Sequence, residues 1–254
     1  MNWAAEAIWE QVAPALPGFT VEILPTVDST NSELMRRARA GRAEPVLLVA
    51  QRQSAGRGRL GRSWASSVGD SLTFSLGLPL APPDWSGLSL AVGVALAEAL
   101  HPQVRLKWPN DLWLGDRKLG GILIETASFG EGSSVRRYAV IGAGLNIAAR
   151  DPAGLSTPPA ALRELLPEVD APLALHRMAL PLVQAVLGFQ DAGFAPFQAR
   201  FQVRDALQGR AVTLSDGTAG VAHGVSEGGA LLVQTAAGMV AVTSAEVSVR
   251  PAVN

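Results

Sequence analysis

The spacing of apolar residues changes several times along the chain, and each change marks an element. TVEILPTV (20–27) alternates loosely and predicts a strand. DSTNSELMRRARAG follows as a helix, with Ser29, Thr30 or Asn31 as cap and Gly41 as stop. PVLLVAQRQ (45–53) is a short apolar run suited to a buried strand. DSLTFSLGLPL (70–80) predicts another strand, WSGLSLAVGVALAEAL (85–100) an apolar helix, and VRLKWP (104–109) a strand stopped by proline. DLWLGDRKLGGILIET (111–126) predicts a hairpin turning at Gly115 and Asp116, and RRYAVIGAGLNIAA (136–149) a further strand. Residues 150–160, rich in proline and small polar side chains, predict a mobile loop. ALRELL and LALHRMALPLVQAVLGFQ carry helical periods, with Pro181 expected to kink or divide the second. PFQARFQVRDAL (196–207) predicts a last helix.

Near 207–209 the texture shifts. Short alternating runs punctuated by SDG, EGG and AAG predict a meander of strands consistent with a small barrel. The expected organisation is an α+β domain over 1–207, with a mixed sheet flanked by helices, and a small β-barrel domain over 208–254. The first eighteen residues predict a short helix and lack the basic start of a signal peptide. No uninterrupted apolar run reaches the ~18 residues of a membrane span, so no membrane association and a cytoplasmic location are expected.

Composition removes several kinds of chemistry. There is no cysteine, which excludes disulfides, thiol catalysis and thiolate metal sites. The three histidines, His101, His176 and His223, lie far apart and show no zinc-ligand spacing. A net charge of −1 means that any anion binding depends on local charge. Arginine outnumbers lysine nineteen to two, and the two lysines, Lys107 and Lys118, stand eleven positions apart. In a chain that uses arginine for solvated charge, a retained lysine points to a place where a compact ammonium is wanted.

SAGRGRLGRSWAS (54–66) spells G-x-G-x-x-G at Gly56, Gly58 and Gly61, with Arg57, Arg59 and Arg62 interleaved. A dinucleotide-binding turn needs a helix directly after the third glycine, and RSWASSVGDSLTF has no helical stripe. A phosphate-binding P-loop needs a Lys-Ser/Thr pair that is absent here. What remains is a flexible loop dense in guanidinium groups. A solvated basic loop, a nucleic-acid contact and a flap that closes on an anionic ligand all stay open on these residues alone.

KWPNDLWLGDRKLGGILIE (107–125), with DSTN (28–31), GRGRLGRSW (56–64) and GAGLN (142–146), resembles the biotin protein ligase family over nearly the whole chain. The resemblance implies a class II synthetase/biotinyl-lipoyl transferase-like catalytic domain with an SH3-like C-terminal barrel. It implies that ATP and biotin, with Mg²⁺, give biotinyl-5′-AMP, and that biotin then passes to a lysine of a biotin carboxyl carrier domain of acetyl-CoA carboxylase or a related enzyme.

The same resemblance implies roles for individual residues. Lys118 and Arg57 would act on the reacting carboxylate and α-phosphate. Ser29, Thr30, Asn31, Gln53, Gly56, Arg57, Lys118 and Gly121 would surround biotin, with the two glycines leaving room for ligand and for backbone contact. Arg57, Arg59, Arg62, Trp64, Lys107, Asn110, Asp111 and Asn146 would hold ATP and the adenylate, Trp64 near the adenine. Asp111 would assist Mg²⁺ carried by the phosphates. Regulatory relatives begin with a winged helix-turn-helix that the first nineteen residues are too short to hold, so no DNA binding is expected. Family members are monomers or homodimers, which leaves a homodimer open. A lipoate–protein ligase of the same fold and a nucleic-acid-binding regulator are the competing readings.

Overall fold

The computed structural model describes residues 2–129, 136–243 and 249–251. A seven-stranded mixed sheet forms the larger part, in the order β1-β2-β3-β7-β6-β5-β4. Its strands are β1 (Thr20–Val27), β2 (Val46–Gln53), β3 (Ser71–Pro79), β4 (Arg105–Lys107), β5 (Asp111–Leu114), β6 (Arg117–Phe129) and β7 (Arg136–Asn146). Only β1 and β2 pair in parallel.

Helices cover both faces, and the alternation of side chains along β2 shows why. Leu47 and Val49 join the core built on α1 (Ala5–Val12), α3 (Leu88–Leu100) and α4 (Ala171–Ala192). Val46 and Leu48 point the other way, to Leu34, Met35 and Ala38 of α2 (Thr30–Arg39). A strand buried on both faces carries an unbroken apolar run, which is how PVLLVA reads.

Pro181 does not divide the long C-terminal helical segment. α4 runs through Pro181 as one element of 22 residues, its flanking turns held by buried Met178, Ala179, Leu182 and Val183. It is long and apolar enough by length and composition to cross a membrane, and here it packs against α1, α3 and β3. ALRELL shrinks to a single 3₁₀ turn, Leu162–Glu164, because Pro159 and Pro167 leave too few residues for an α-helix. α5 (Ala195–Arg204) ends before Asp205.

A second, antiparallel sheet follows in the order β11-β10-β9-β8-β12. It comprises β8 (Ala211–Leu214), β9 (Ala219–Val225), β10 (Leu231–Thr235), β11 (Gly238–Val242) and β12 (Val249–Pro251). Residues 244–248 of the predicted meander lie outside the described residues. The buried Trp108 indole donates to the Gly229 carbonyl at 3.0 Å, and the Gln198 side-chain amide donates to Val225 O at 2.7 Å, tying this sheet to the larger part.

Candidate active site

The site grows out of one face of β7. Tyr138 and Val140 point from it into the core under α2, and the same face continues as Gly142, Gly144 and Asn146. Their cross-strand neighbours on β3 are Ser75 and Thr73, and those on β6 are Leu123 and Gly121. Beyond α2 the sheet therefore swaps large side chains for glycine, serine and threonine, and a cavity of about 740 Å³ opens above it.

Two of these glycines are needed for close approach. A Cβ on Gly142 would lie 2.0 Å from Asn31 Oδ1, and one on Gly144 would lie 2.5 Å from the Trp64 ring. Asn31 is buried and fully used: its Nδ2 donates to Leu123 O (3.1 Å) and Glu125 Oε2 (3.0 Å), and its Oδ1 accepts from Ser75 Oγ (2.6 Å). Beside it, Thr30 donates to Gln53 Oε1 from both its amide (2.7 Å) and its hydroxyl (3.1 Å). Ser29 caps α2, accepting from the Ser32 amide. DSTN thus starts a helix and places buried polar groups at one end of the cavity.

The arginine loop closes over the other end as a small hairpin. Gly58 N donates to Arg62 O, Trp64 N to Gly56 O, and Arg57 bridges to Ser63. Leu60 (φ 55°) and Gly61 (φ 71°) turn the tip through left-handed backbone. Like charges in this loop do not force it open, because each of two guanidiniums has its own partner. Arg57 pairs with Glu125 at 2.6 Å, and Arg59 donates to Asn110 Oδ1 at 3.3 Å. Burial, its largest cause, pushes the pKa of Arg59 down, so placing that cation here carries a desolvation cost that an incoming anion would offset.

Lys118 stands on β6 with its ammonium 2.7 Å from Asp111 Oδ1 and 6.0 Å from the centre of the Trp64 ring. Gly121 gives these groups their space, since a Cβ there would meet Lys118 Nζ at 3.3 Å. The backbone of Lys118 is fixed by the 150–160 loop: its amide donates to Pro158 O, and its carbonyl accepts from Ala160 N. Asn146 closes the same clamp, donating to Lys118 O (3.2 Å) and Ala160 O (3.0 Å). Lys107 Nζ lies 5.3 Å from the Trp113 ring centre.

Ser29, Thr30, Asn31, Gln53, Arg57, Arg59, Arg62, Trp64, Lys107, Asn110, Asp111, Lys118, Gly121 and Asn146 all line this one cavity. Gly56 is the exception. A Cβ there would fall 2.3 Å from the Trp64 carbonyl oxygen, so this glycine makes room for the loop's own backbone. Sequence reasoning missed Glu125, Arg150 from the end of NIAAR, and Arg210 just before β8. Arg150 donates to Asn146 Oδ1 at 3.2 Å, and Arg210 pairs with Asp116 across the cavity mouth. Seven cationic side chains and two carboxylates line the cavity, which suits a polyanion.

The pattern of the biotin/lipoate A/B protein ligase family matches residues 24–146, and that of the biotin protein ligase C-terminal domain matches residues 208–250. The bifunctional ligase/repressor BirA of Escherichia coli (strain K12) is 35% identical over 237 residues, covering 89% of this chain and 72% of that protein. The chain belongs to the biotin protein ligase family. The biotin–[acetyl-CoA-carboxylase] ligase of Paracoccus denitrificans is 34% identical and is covered over 98% of its length. Biotin protein ligase from Aquifex aeolicus, solved in complex with biotin and ATP, superimposes with a TM-score of 0.75 at 28% identity, covering 91% of this chain and 99% of that one.

Proposed function

We infer that the protein is an ATP-dependent biotin–[acetyl-CoA-carboxylase] ligase. The observation that carries this reading is the single cavity that joins a buried polar end, at Thr30 and Gln53, to a cationic end capped by Trp64. Biotin pairs a ureido ring, which wants fixed donors and acceptors, with a carboxylate that must reach a triphosphate.

In the first step, the biotin carboxylate oxygen attacks the α-phosphorus of ATP. An acyl–phosphate bond forms and pyrophosphate leaves. Two unit negative charges about 4 Å apart repel by roughly 4 kcal/mol at an effective dielectric of 20. Cations held close to the reacting groups reduce that cost. Lys118 is suited to it: Gly121 and the Asn146 clamp fix its strand, while its flexible stem lets the ammonium follow charge from Asp111 to the reacting oxygens. Arg57 acts from the flap, Arg59 and Arg62 on the more distal phosphates, and Trp64 offers a ring for the adenine.

In the second step, the neutral ε-amine of a carrier-domain lysine attacks the acyl carbon. An amide bond forms and AMP leaves. The acceptor is the biotin carboxyl carrier domain of acetyl-CoA carboxylase or of a related carboxylase.

Mg²⁺ fits the site only as a companion of ATP. Among the described residues no cluster of three or more His, Asp or Glu side chains could hold a metal. Asn110 has its amide oxygen engaged by Arg59, and Asp111 has one oxygen on Lys118. Asp111 would supply a single carboxylate to an ion coordinated mainly by phosphates, in keeping with the chemistry of Mg²⁺, which there neutralises phosphate charge.

Pyrophosphate release with Mg-ATP tests the substrate choice. Biotin is expected to give biotinyl-5′-AMP, and lipoate nothing above background. Lipoyl-AMP formation without biotinyl-AMP would overturn the assignment.

A further inference from the structure

We propose that Glu125 is a positioning residue for adenylate formation: its carboxylate holds the Arg57 guanidinium at the rim of the cavity before substrates arrive. The inference rests on the ligase reading and adds a residue whose own side chain does not line the cavity.

Glu125 lies on β6, on the same side as Gly121 and Leu123, which do line the cavity. Its Oε2 accepts two hydrogen bonds, from Asn31 Nδ2 at 3.0 Å and from Arg57 Nη2 at 2.6 Å. The two donors differ in kind. Asn31 is 3% exposed, is bonded also to Leu123 and Ser75, and sits under Gly142 with no space to shift. The Arg57 side chain is 44% exposed and comes from a loop. Glu125 therefore couples a fixed point at the start of α2 to the arginine loop.

A half-exposed ion pair adds little to stability. Its use is orientation. A free arginine side chain carries much rotamer entropy, and a guanidinium already aligned loses less of it when the anions bind. Arg57 keeps further N–H donors for the reacting oxygens while Nη2 stays on Glu125.

Steady-state adenylate formation in the full chain tests this, using Glu125→Gln, Glu125→Asp, Arg57→Ala and the Glu125→Gln/Arg57→Ala double variant. Gln keeps an oxygen for Asn31 and loses the charge that holds Arg57. The expected result is a kcat lower by about tenfold in Glu125→Gln, with KM for biotin and ATP within about twofold of the parent. Asp is expected to recover part of the rate, and the Gln change to add nothing once Arg57 is Ala. An unchanged kcat overturns the proposal. So does an equal fall in the Arg57→Ala background, or a raised biotin KM at parental kcat, which would mark a structural role through Asn31. A parent protein that forms no adenylate overturns the ligase reading itself, and this inference with it.

Discussion

Gly142→Ala tests whether the glycine face of β7 is the floor of the site. The added methyl would sit 2.0 Å from Asn31 Oδ1 and 2.9 Å from its Cγ, far inside the ~3.5 Å at which such atoms rest. Asn31 has no alternative place, because Leu123 O, Glu125 and Ser75 hold it with three hydrogen bonds. Displacing it breaks all three and leaves buried partners unpaired. At roughly 1 kcal/mol net for each bond, the expected loss is about 3 kcal/mol. For a chain of this size that lowers Tm by about 6–12 °C. Biotin affinity should fall as well, since Thr30, the next residue, shares Ser75 Oγ as a partner at 2.7 Å. Gly188→Ala provides the control. That site lies within α4 with no atom within 4 Å of an added Cβ, so a gain of about 0.5–1 kcal/mol is expected from helix propensity. The assay is thermal denaturation with and without biotin, alongside calorimetric biotin titration. A Gly142→Ala protein with parental Tm and parental biotin affinity would refute the reasoning.

Other outcomes follow from the same geometry. Lys118→Ala should slow adenylate formation by roughly 10²–10³-fold, as loss of a preorganised oxyanion donor does, while biotin affinity changes far less; adenylate formed at the parental rate would remove Lys118 from the role assigned here. Asp205 is buried, with Oδ1 accepting from the Leu207 amide at 2.8 Å and Oδ2 unpartnered among the described residues, and burial pushes its carboxyl pKa up. A carboxyl whose folded pKa is raised favours the native state when protonated, and that contribution is lost as pH rises through the folded value. The Tm of Asp205→Asn minus that of the parent should therefore grow as pH rises above the ordinary aspartate value of about 3.9, and a flat difference would contradict it. Proteolytic nicking within 54–66 should fall when biotin and ATP are added, and equal cleavage with and without them would count against ligand-induced closure.

Much of the fold was legible because its elements differ in period. PVLLVAQRQ, the Gly115 and Asp116 turn and the apolar helix before VRLKWP each appear close to where the pattern puts them. That Pro181 does not divide α4 was not legible, because local propensity says nothing of the buried neighbours that hold the turns on either side of it. The site was legible only in part. DSTN, the arginine loop and the two lysines stood out by composition, and all reach one cavity. The polar partners did not stand out. Glu125 follows an apolar run within β6, Arg150 begins a loop, and Arg210 stands just before β8, so only tertiary pairing reveals them. One signal was present and unused: in AVIGAGLN the glycines recur at every second position of a strand, which leaves one face bare. At Gly56 the close approach is by the loop's own backbone, the Trp64 carbonyl.

Transfer of biotin to its acceptor is the most direct measurement. The protein is mixed with biotin, Mg-ATP and a biotin carboxyl carrier domain, and the acceptor is read by mass spectrometry. The account predicts one amide-linked biotin on the acceptor lysine, dependent on ATP. A carrier domain left unmodified with biotin, or modified with lipoate in its place, would contradict it.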